Sequence, residues 1–165
     1  MSTQRLDFIR RENIRQRDGW VWIHIHSTAK IDSTAQIGHA GQGYERNEGH
    51  ELERMPHLGG VSIGPGVKVG PLCTIMRGSF CDTVIGEGSV IGHHVNVGHG
   101  CQIGRHVLII DGAHLCGGVI VGDYVTIGML ALIRPKVKIG EGATIGDRAL
   151  VLHDVPAGAT IKGEA

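Results

Sequence analysis

Histidine is the residue type with the clearest capacity for acid–base chemistry in this chain, which contains 11 of them. His99 lies in the segment VNVGHGCQIG, directly after an aliphatic–glycine pair that indicates a turn. An unperturbed imidazole titrates close to neutral pH, so it can accept a proton from a substrate group under cellular conditions. The residue type makes His99 a candidate general base, although by position alone a histidine at a turn is more typical of an ordinary surface residue.

The elements that must position His99 follow a period of six residues. Aliphatic side chains recur at every sixth position from Ile85 to Val151, and glycine often follows them, as at Gly86 and Gly92. A period of six fits neither an amphipathic helix nor a simple alternating strand, because each short strand must end at a turn. The pattern predicts an all-β solenoid whose coils stack about 4.8 Å apart around an aliphatic interior.

The same register begins earlier in the chain, at Ile25, and it is interrupted twice. The first interruption is a polar loop over about 39–60, and the second is a slip between Ile75 and Ile85. A long loop on a regular scaffold serves function more often than packing. We therefore expect both segments to bulge outward from the solenoid and the long loop to contribute to function.

Residues 3–18 precede the repeats and have apolar side chains at near-helical spacing, with Gly19 suited to a helix end. They predict a short helix that caps the open end of the solenoid. The domain organisation expected from the sequence is thus a helical cap over 1–19 and a β-helix domain over 20–165.

Composition narrows the class of function. Lys+Arg and Asp+Glu are equal at 16 each, so no net field would attract nucleic acid. No stretch resembles a signal peptide or approaches the roughly 18 apolar residues that span a bilayer, so we expect a cytoplasmic protein without membrane contact. The cysteines lack a CxxC pair and are expected to be reduced, mostly filling small interior positions: Cys73, Cys81, Cys101 and Cys116.

Most of residues 25–163 follow the pattern [LIV]-G-x-x-x-x, which resembles the hexapeptide-repeat transferase family. The segment from GYERNEGHELERMPHLGGVSIGPGVKVG to VNVGHGCQIGRHVLI is similar to the N-acyltransferase of lipid A synthesis. The later segment LCGGVIVGDYVTIGMLALIRPKVKIGEGATIGDRALVLHDVPAGATIKG looks more like acetyltransferases of nucleotide-linked amino sugars. The resemblance implies a left-handed parallel β-helix with three hexads per coil, assembled as a homotrimer with active sites between subunits.

The activity implied by the resemblance is acyl-CoA-dependent N-acyl transfer. The expected reaction acetylates the amino group of a nucleotide-linked amino sugar for surface polysaccharide synthesis, with acetyl-CoA as co-substrate and no metal. Two departures leave the acceptor open. The asparagine that follows the catalytic histidine in the lipid A enzyme is Gly100 here, and the glutamate found there in sugar acetyltransferases is absent too. In addition, neither the uridine-binding domain nor the C-terminal helices of the lipid A enzyme have a counterpart within these 165 residues.

The resemblance assigns roles to individual residues. His99 matches the catalytic histidine, and Gly117, 18 residues later, would stack beside it and donate its N–H to the thioester oxygen. Gly118 is a second candidate for that oxyanion role. On the acceptor side the candidates are His93, His94, Tyr44 and Arg46. Asn96 and Asp111 are candidates for orienting the base.

Coenzyme A in this family lies along the groove between neighbouring solenoids. The expected contacts are Gly117, Gly118, Gly128, Met129, Ala131, Arg134 and Lys136. The two cations could meet the nucleotide phosphates, or they could be ordinary surface charges. No role is predicted for His106 or His114.

Two other classes of protein share this type of fold. In the zinc-dependent γ-carbonic anhydrases, three histidines from adjacent subunits hold a metal-bound water, but a histidine expected in that family at position 104 is glycine here. A non-catalytic solenoid scaffold is the third possibility, against which the VGH motif argues only weakly.

Overall fold

The computed structural model describes residues 14–16 and 19–163 of the chain, and this part is all-β. Strands β1 (Ile14–Gln16) and β2 (Gly19–Val21) form an antiparallel pair. The predicted helix over 3–18 is therefore wrong at Ile14–Gln16, where the chain is a strand. The rest of that segment lies outside the described residues. Within the described residues, no helix is long and apolar enough to cross a membrane.

Three parallel sheets form the body of a solenoid of hexapeptide repeats. The first sheet contains β3 (Ile23–Ile25), β8 (Val61–Ile63), β11 (Thr83–Ile85), β14 (Gln102–Ile103), β17 (Ile120–Val121) and β20 (Lys138–Ile139). The second contains β4 (Lys30–Ile31), β9 (Lys68–Val69), β12 (Val90–Ile91), β15 (Leu108–Ile109), β18 (Thr126–Ile127), β21 (Thr144–Ile145) and β23 (Thr160–Ile161). The third contains β5 (Gln36–His39), β10 (Thr74–Met76), β13 (Asn96–Val97), β16 (His114–Leu115), β19 (Leu132–Ile133) and β22 (Leu150–Val151).

The strand register fixes the length of a coil at three hexads over the regular repeats. Val97 pairs with Leu115 and Leu115 pairs with Ile133, each 18 residues along the chain. The expected solenoid of hexapeptide repeats is thus confirmed, with each coil contributing one strand to every sheet.

Each hexad buries two side chains and exposes the one between them. In β13 and the residue before it, Val95 and Val97 are 1% and 0% exposed and point inward, while Asn96 is turned outward. Every aliphatic residue of the six-residue series from Ile85 to Val151 is buried. Burying each such side chain contributes about 1.5–3 kcal/mol, so stability comes from a narrow aliphatic prism rather than from large rings.

Glycine has two separate functions at the turns. Gly98 follows the buried Val97, and a side chain there would lie 2.7 Å from the backbone nitrogen of Gly117 in the next coil, so close stacking requires glycine. Gly100 has φ +69°, a left-handed conformation that favours glycine. The same turn position in other hexads accepts ordinary residues, such as His94 at φ 54°.

Both interruptions of the repeat fall at one corner of the prism, where the chain passes from the third sheet to the first. Residues 40–60 follow β5 and contain a hairpin of β6 (Tyr44–Arg46) and β7 (Leu52–Arg54). Residues 77–82 follow β10 and enlarge the same corner one coil later. His99 is in the next turn at this corner, so the irregular parts of the chain collect around the predicted base.

Candidate functional site

His99 occupies the turn between β13 and β14, with enlarged corner 77–82 on one side and Gly117 of the next coil on the other. A Cβ atom on Gly117 would collide with Nε2 of the His99 imidazole, so the Gly117 backbone lies directly against that nitrogen. The predicted stacking of residues 99 and 117 is thus present. Only glycine leaves Nε2 with space beside it.

Ser79 holds the opposite ring nitrogen of His99. Its hydroxyl oxygen lies 3.2 Å from Nδ1 of the imidazole. In the tautomer that carries hydrogen on Nδ1, the ring donates to Ser79 Oγ and Nε2 is the proton acceptor beside Gly117. This arrangement is what a general base requires. Sequence analysis did not find Ser79, and the residues it proposed for this role, Asn96 and Asp111, contact other groups.

The turn that carries His99 is fixed by a buried hydroxyl. Thr83 Oγ1 accepts a hydrogen bond from the Gly100 N–H at 2.9 Å and donates to the Met76 carbonyl at 2.6 Å. Asp82 links the enlarged corner to the inserted segment, since its carboxylate accepts from the Gly60 N–H at 2.7 Å. The backbone on both sides of His99 is therefore constrained.

His57, from the inserted segment, is the imidazole that packs against His99. The His57 and His99 ring centroids are 5.3 Å apart in an edge-to-face arrangement. His57 is 3% exposed, and its Nδ1 lies 3.0 Å from the Met55 carbonyl oxygen. Burial lowers the pKa of His57, and the charges of His99, Arg77 and Arg54 lower it further, while the hydrogen bond to Met55 opposes the change. His57 was also missed, because the inserted loop has no repeat that could assign it a neighbour.

Tyr44 and Arg46 lie on β6 of the hairpin, and both side chains are exposed. Arg46 Nη1 donates to the His50 carbonyl at 2.7 Å, which ties it to the tip of the hairpin. The structure therefore places both residues on the inserted segment, and their predicted contact with an acceptor stays a prediction.

His93 and His94 lie at a different corner, between the second and third sheets. The His93 N–H donates to Asp111 Oδ1 at 2.8 Å, and its Nδ1 is 3.8 Å from Asp111 Oδ2. His93 and Asp111 line a surface groove together with Lys30 and Lys68. Within one chain the third sheet separates this groove from His99, so His93 and His94 do not join the His99 corner directly.

Asn96 and His114 contact each other on the outer face of the third sheet. Asn96 Nδ2 lies 3.2 Å from His114 Nε2. The two residues lie on neighbouring strands one coil apart. Asn96 therefore contacts His114 and does not orient His99.

Arg134 and Lys136 are at the His99 corner, two coils further along. The Gly118 N–H donates to the His99 carbonyl at 2.8 Å, and the Lys136 N–H donates to the Gly117 carbonyl at 3.0 Å. The Gly118 N–H is thus already used in a hydrogen bond between coils. Among the described residues, the Gly117 N–H has no hydrogen-bond partner, which leaves Gly117 as the better oxyanion candidate of the two.

The remaining predicted coenzyme contacts lie at the corner between the second and third sheets. The Met129 N–H donates to Asp147 Oδ1 at 2.7 Å, and a side chain on Gly128 would lie 2.5 Å from the same oxygen. Ala131 is 0% exposed and packs in the core, and its predicted contact with coenzyme A stays a prediction. The side chain is small because it lies at an inward-facing position of the hexad.

Metal-ligating residues do not cluster in the described part of the chain: no group of three His, Cys, Asp or Glu side chains there could hold a metal ion. The four cysteines are free thiols. Burial raises the pKa of the Cys101 thiol to about 12, as expected for a cysteine used as a small apolar residue of the core.

Comparisons with known proteins relate this architecture to a family. Residues 100–135 and 118–153 match the family model described as bacterial transferase hexapeptide (six repeats). UDP-3-O-acylglucosamine N-acyltransferase of Methylorubrum populi is 36% identical over 133 residues, which cover 81% of this chain and 38% of the relative. UDP-3-O-acylglucosamine N-acyltransferase 2 of Rhodopseudomonas palustris is 39% identical over 130 residues, which cover 78% and 34%.

A solved structure has the same fold. UDP-N-acetylglucosamine acyltransferase of Francisella novicida aligns with a TM-score of 0.76 and 26% identity, covering 86% of this chain and 50% of that one. The chain spans less than half the length of the curated relatives it matches. What this solved structure shares with the chain is the solenoid fold.

Proposed function

Because the chain belongs to the hexapeptide-repeat family of bacterial transferases, we propose that it is an N-acyltransferase acting on the amino group of a nucleotide-linked amino sugar. The observation that carries this proposal is the His99 imidazole, held at Nδ1 by Ser79 and open at Nε2 beside the Gly117 backbone. The relatives' names support the acceptor class, since they describe N-acylation of a UDP-linked acylglucosamine.

The mechanism needs a base, an oxyanion donor and alignment of two substrates. His99 Nε2 takes a proton as the amine nitrogen attacks the thioester carbonyl. The Gly117 N–H donates to the oxygen that becomes negative in the tetrahedral intermediate. Collapse of this intermediate forms the amide and breaks the carbon–sulfur bond, and the proton on His99 passes to the departing thiolate.

The donor is an acyl thioester, and acetyl-CoA is the first one we propose. Arg134 and Lys136 lie two coils beyond His99, about 10 Å along the solenoid axis, on a shallow groove that also contains His153. These cations can meet the phosphates of coenzyme A. A phosphopantetheine thioester on a carrier protein presents the same reacting group, and only a comparison of donors separates the two.

The proposal includes assembly as a homotrimer, which comes from the family resemblance, and a cytoplasmic location, which is the expectation of the sequence analysis. His99 is half-buried in the single chain, and a neighbouring solenoid would complete the groove in which donor and acceptor meet. In such an assembly the groove containing His93 belongs to the surface that an adjacent subunit can bring to His99.

The first test is transfer of labelled acyl groups from acetyl-CoA, longer acyl-CoAs and acyl carrier protein to UDP-linked amino sugars. His99→Ala should lower kcat by about 100-fold or more, with circular dichroism and oligomeric state unchanged. His24→Ala is the matched control, because His24 is an exposed histidine on the first sheet. Turnover at the wild-type rate in His99→Ala would remove His99 from the mechanism, and failure of every amino-sugar acceptor would reject the acceptor class.

A further inference from the structure

His57 is an exception to the way polar groups are buried in this chain. Its Nε2 atom is inaccessible to solvent and has no hydrogen-bond partner among the described residues. Buried polar atoms in folded proteins nearly always have a partner, and an exception needs an explanation. An atom of this kind next to a candidate catalytic base is a place where a ligand group can supply the missing hydrogen bond.

The protonation of the His57 ring is set by its surroundings. The Met55 carbonyl accepts a hydrogen bond, so the hydrogen of the neutral ring is on Nδ1 and the lone pair is on Nε2. Burial and the nearby positive charges favour this neutral form. The ring therefore presents an acceptor, and what fits against it is an N–H or O–H group.

Gly41 packs closely against both imidazoles. A Cβ atom on Gly41 would lie 2.7 Å from His57 Nε2 and 3.1 Å from Cδ2 of His99. The Gly41 φ angle is outside the left-handed range, so the backbone does not require glycine there. The absence of a side chain thus matters because a Cβ atom there would collide with His57 Nε2.

The backbone over this point is weakly held. Arg54 Nη2 donates to the carbonyl oxygens of Ala40 and Gly41 at 3.5 Å and 3.4 Å, long distances for hydrogen bonds. Gly43 follows two residues later, and its carbonyl accepts from the Met55 N–H at 2.9 Å, which closes the base of the hairpin. A small displacement of the Gly41 segment would open Nε2 of His57 to an entering substrate.

We propose that His57 is an acceptor-binding residue, whose Nε2 receives a hydrogen bond from an N–H or O–H of the amino sugar and holds that sugar against His99. The inference rests on the proposed function. It assigns the inserted segment a defined task, which is to recognise the acceptor at the same corner where the solenoid supplies the base.

The test uses two substitutions, each of which replaces one of the two ring nitrogens of His57 by a side-chain amide. His57→Asn keeps an amide near the Nδ1 position, where it can still donate to Met55, and removes the Nε2 acceptor. His57→Gln places an amide near Nε2. We expect His57→Asn to raise KM for the amino sugar about tenfold, as for loss of one hydrogen bond to a substrate, while KM for the acyl donor is unchanged. His57→Gln should restore most of the acceptor affinity.

A second measurement does not depend on turnover. In wild-type protein labelled with ¹⁵N-histidine, the Nε2 resonance of His57 should shift when a UDP-linked amino sugar saturates the site. If no acyl transfer occurs but the resonance shifts, the proposed function fails and the His57 contact stands. If transfer occurs while the resonance is unmoved at saturation, or donor and acceptor KM rise together in His57→Asn, the His57 proposal is wrong.

Discussion

The regular coils over 102–151 and the interrupted corner at 40–60 and 77–82 obey different rules. In the regular coils every third strand is equivalent, and each residue has a counterpart 18 positions away on the neighbouring coil. At the interrupted corner the inserted residues have no such counterpart. They contribute His57 and Ser79, the two side chains that contact His99. The repeat supplies stability and a fixed position for the base, and the interruptions surround that base with specific groups.

The first prediction tests the separation of stability from the interrupted corner. Leu115 is 0% exposed in β16, whereas Leu52 in the hairpin is 60% exposed. Leu115→Ala should lower the free energy of unfolding by about 2–5 kcal/mol because it leaves a cavity in a close-packed prism. Leu52→Ala should change it by less than about 0.5 kcal/mol.

Urea unfolding followed by circular dichroism, at one fixed protein concentration for both variants, measures this difference. Equal losses of stability in the two variants would show that the hairpin is part of the same cooperative core, and the comparison between the two regions would then fail.

The second prediction uses a pair of buried hydroxyls that make the same kind of connection, one beside the interrupted corner and one to the regular coils. Ser89 Oγ donates to the Gly104 carbonyl at 2.9 Å and accepts from the Val107 N–H at 3.0 Å, as Thr83 does with Met76 and Gly100. Thr83→Val and Ser89→Ala each leave a buried N–H without its partner. Each should lower the free energy of unfolding by about 1–3 kcal/mol.

The two variants should differ in activity, since only Thr83 holds the turn that carries His99. We expect kcat to fall several-fold in Thr83→Val and to stay at the wild-type value in Ser89→Ala, in assays well below the unfolding temperature of both. A matching loss of kcat in Ser89→Ala would mean that general destabilisation, and not the geometry of the His99 turn, accounts for the effect.

The sequence predicted the regular part of the molecule well, and the physical reason is its periodicity. A buried aliphatic residue every six positions leaves few alternatives for the backbone, so the solenoid and its core follow from the sequence. The coil length of three hexads, and with it the position of Gly117 against His99, came from the family resemblance.

The two residues that contact His99, Ser79 and His57, could not be predicted from the same periodicity. One coil before His99, a step of 18 residues lands on Cys81, but the slip at 77–82 places Ser79 against the imidazole instead. His57 is beyond the reach of any repeat, since it comes from a 21-residue insertion between regular strands. The N-terminal helix was inferred from weak spacing, and at Ile14–Gln16 a strand pairs with its neighbour instead.

The smallest expected effect is that of Ser79, whose side chain connects the irregular segment 77–82 to His99. Ser79→Ala removes the hydroxyl at Nδ1 of His99, and the ring can then rotate or change tautomer. The loss of one hydrogen bond predicts a fall in kcat of about 3- to 10-fold with both KM values unchanged. Ser79→Thr keeps the hydroxyl and should restore kcat, which a purely structural role for this corner would not require.

Phe80→Ala is the control, because Phe80 is adjacent in the same turn and 79% exposed. If Ser79→Ala and Phe80→Ala lower kcat equally, the enlarged corner acts through its backbone alone, and the difference between the two regions reduces to His57.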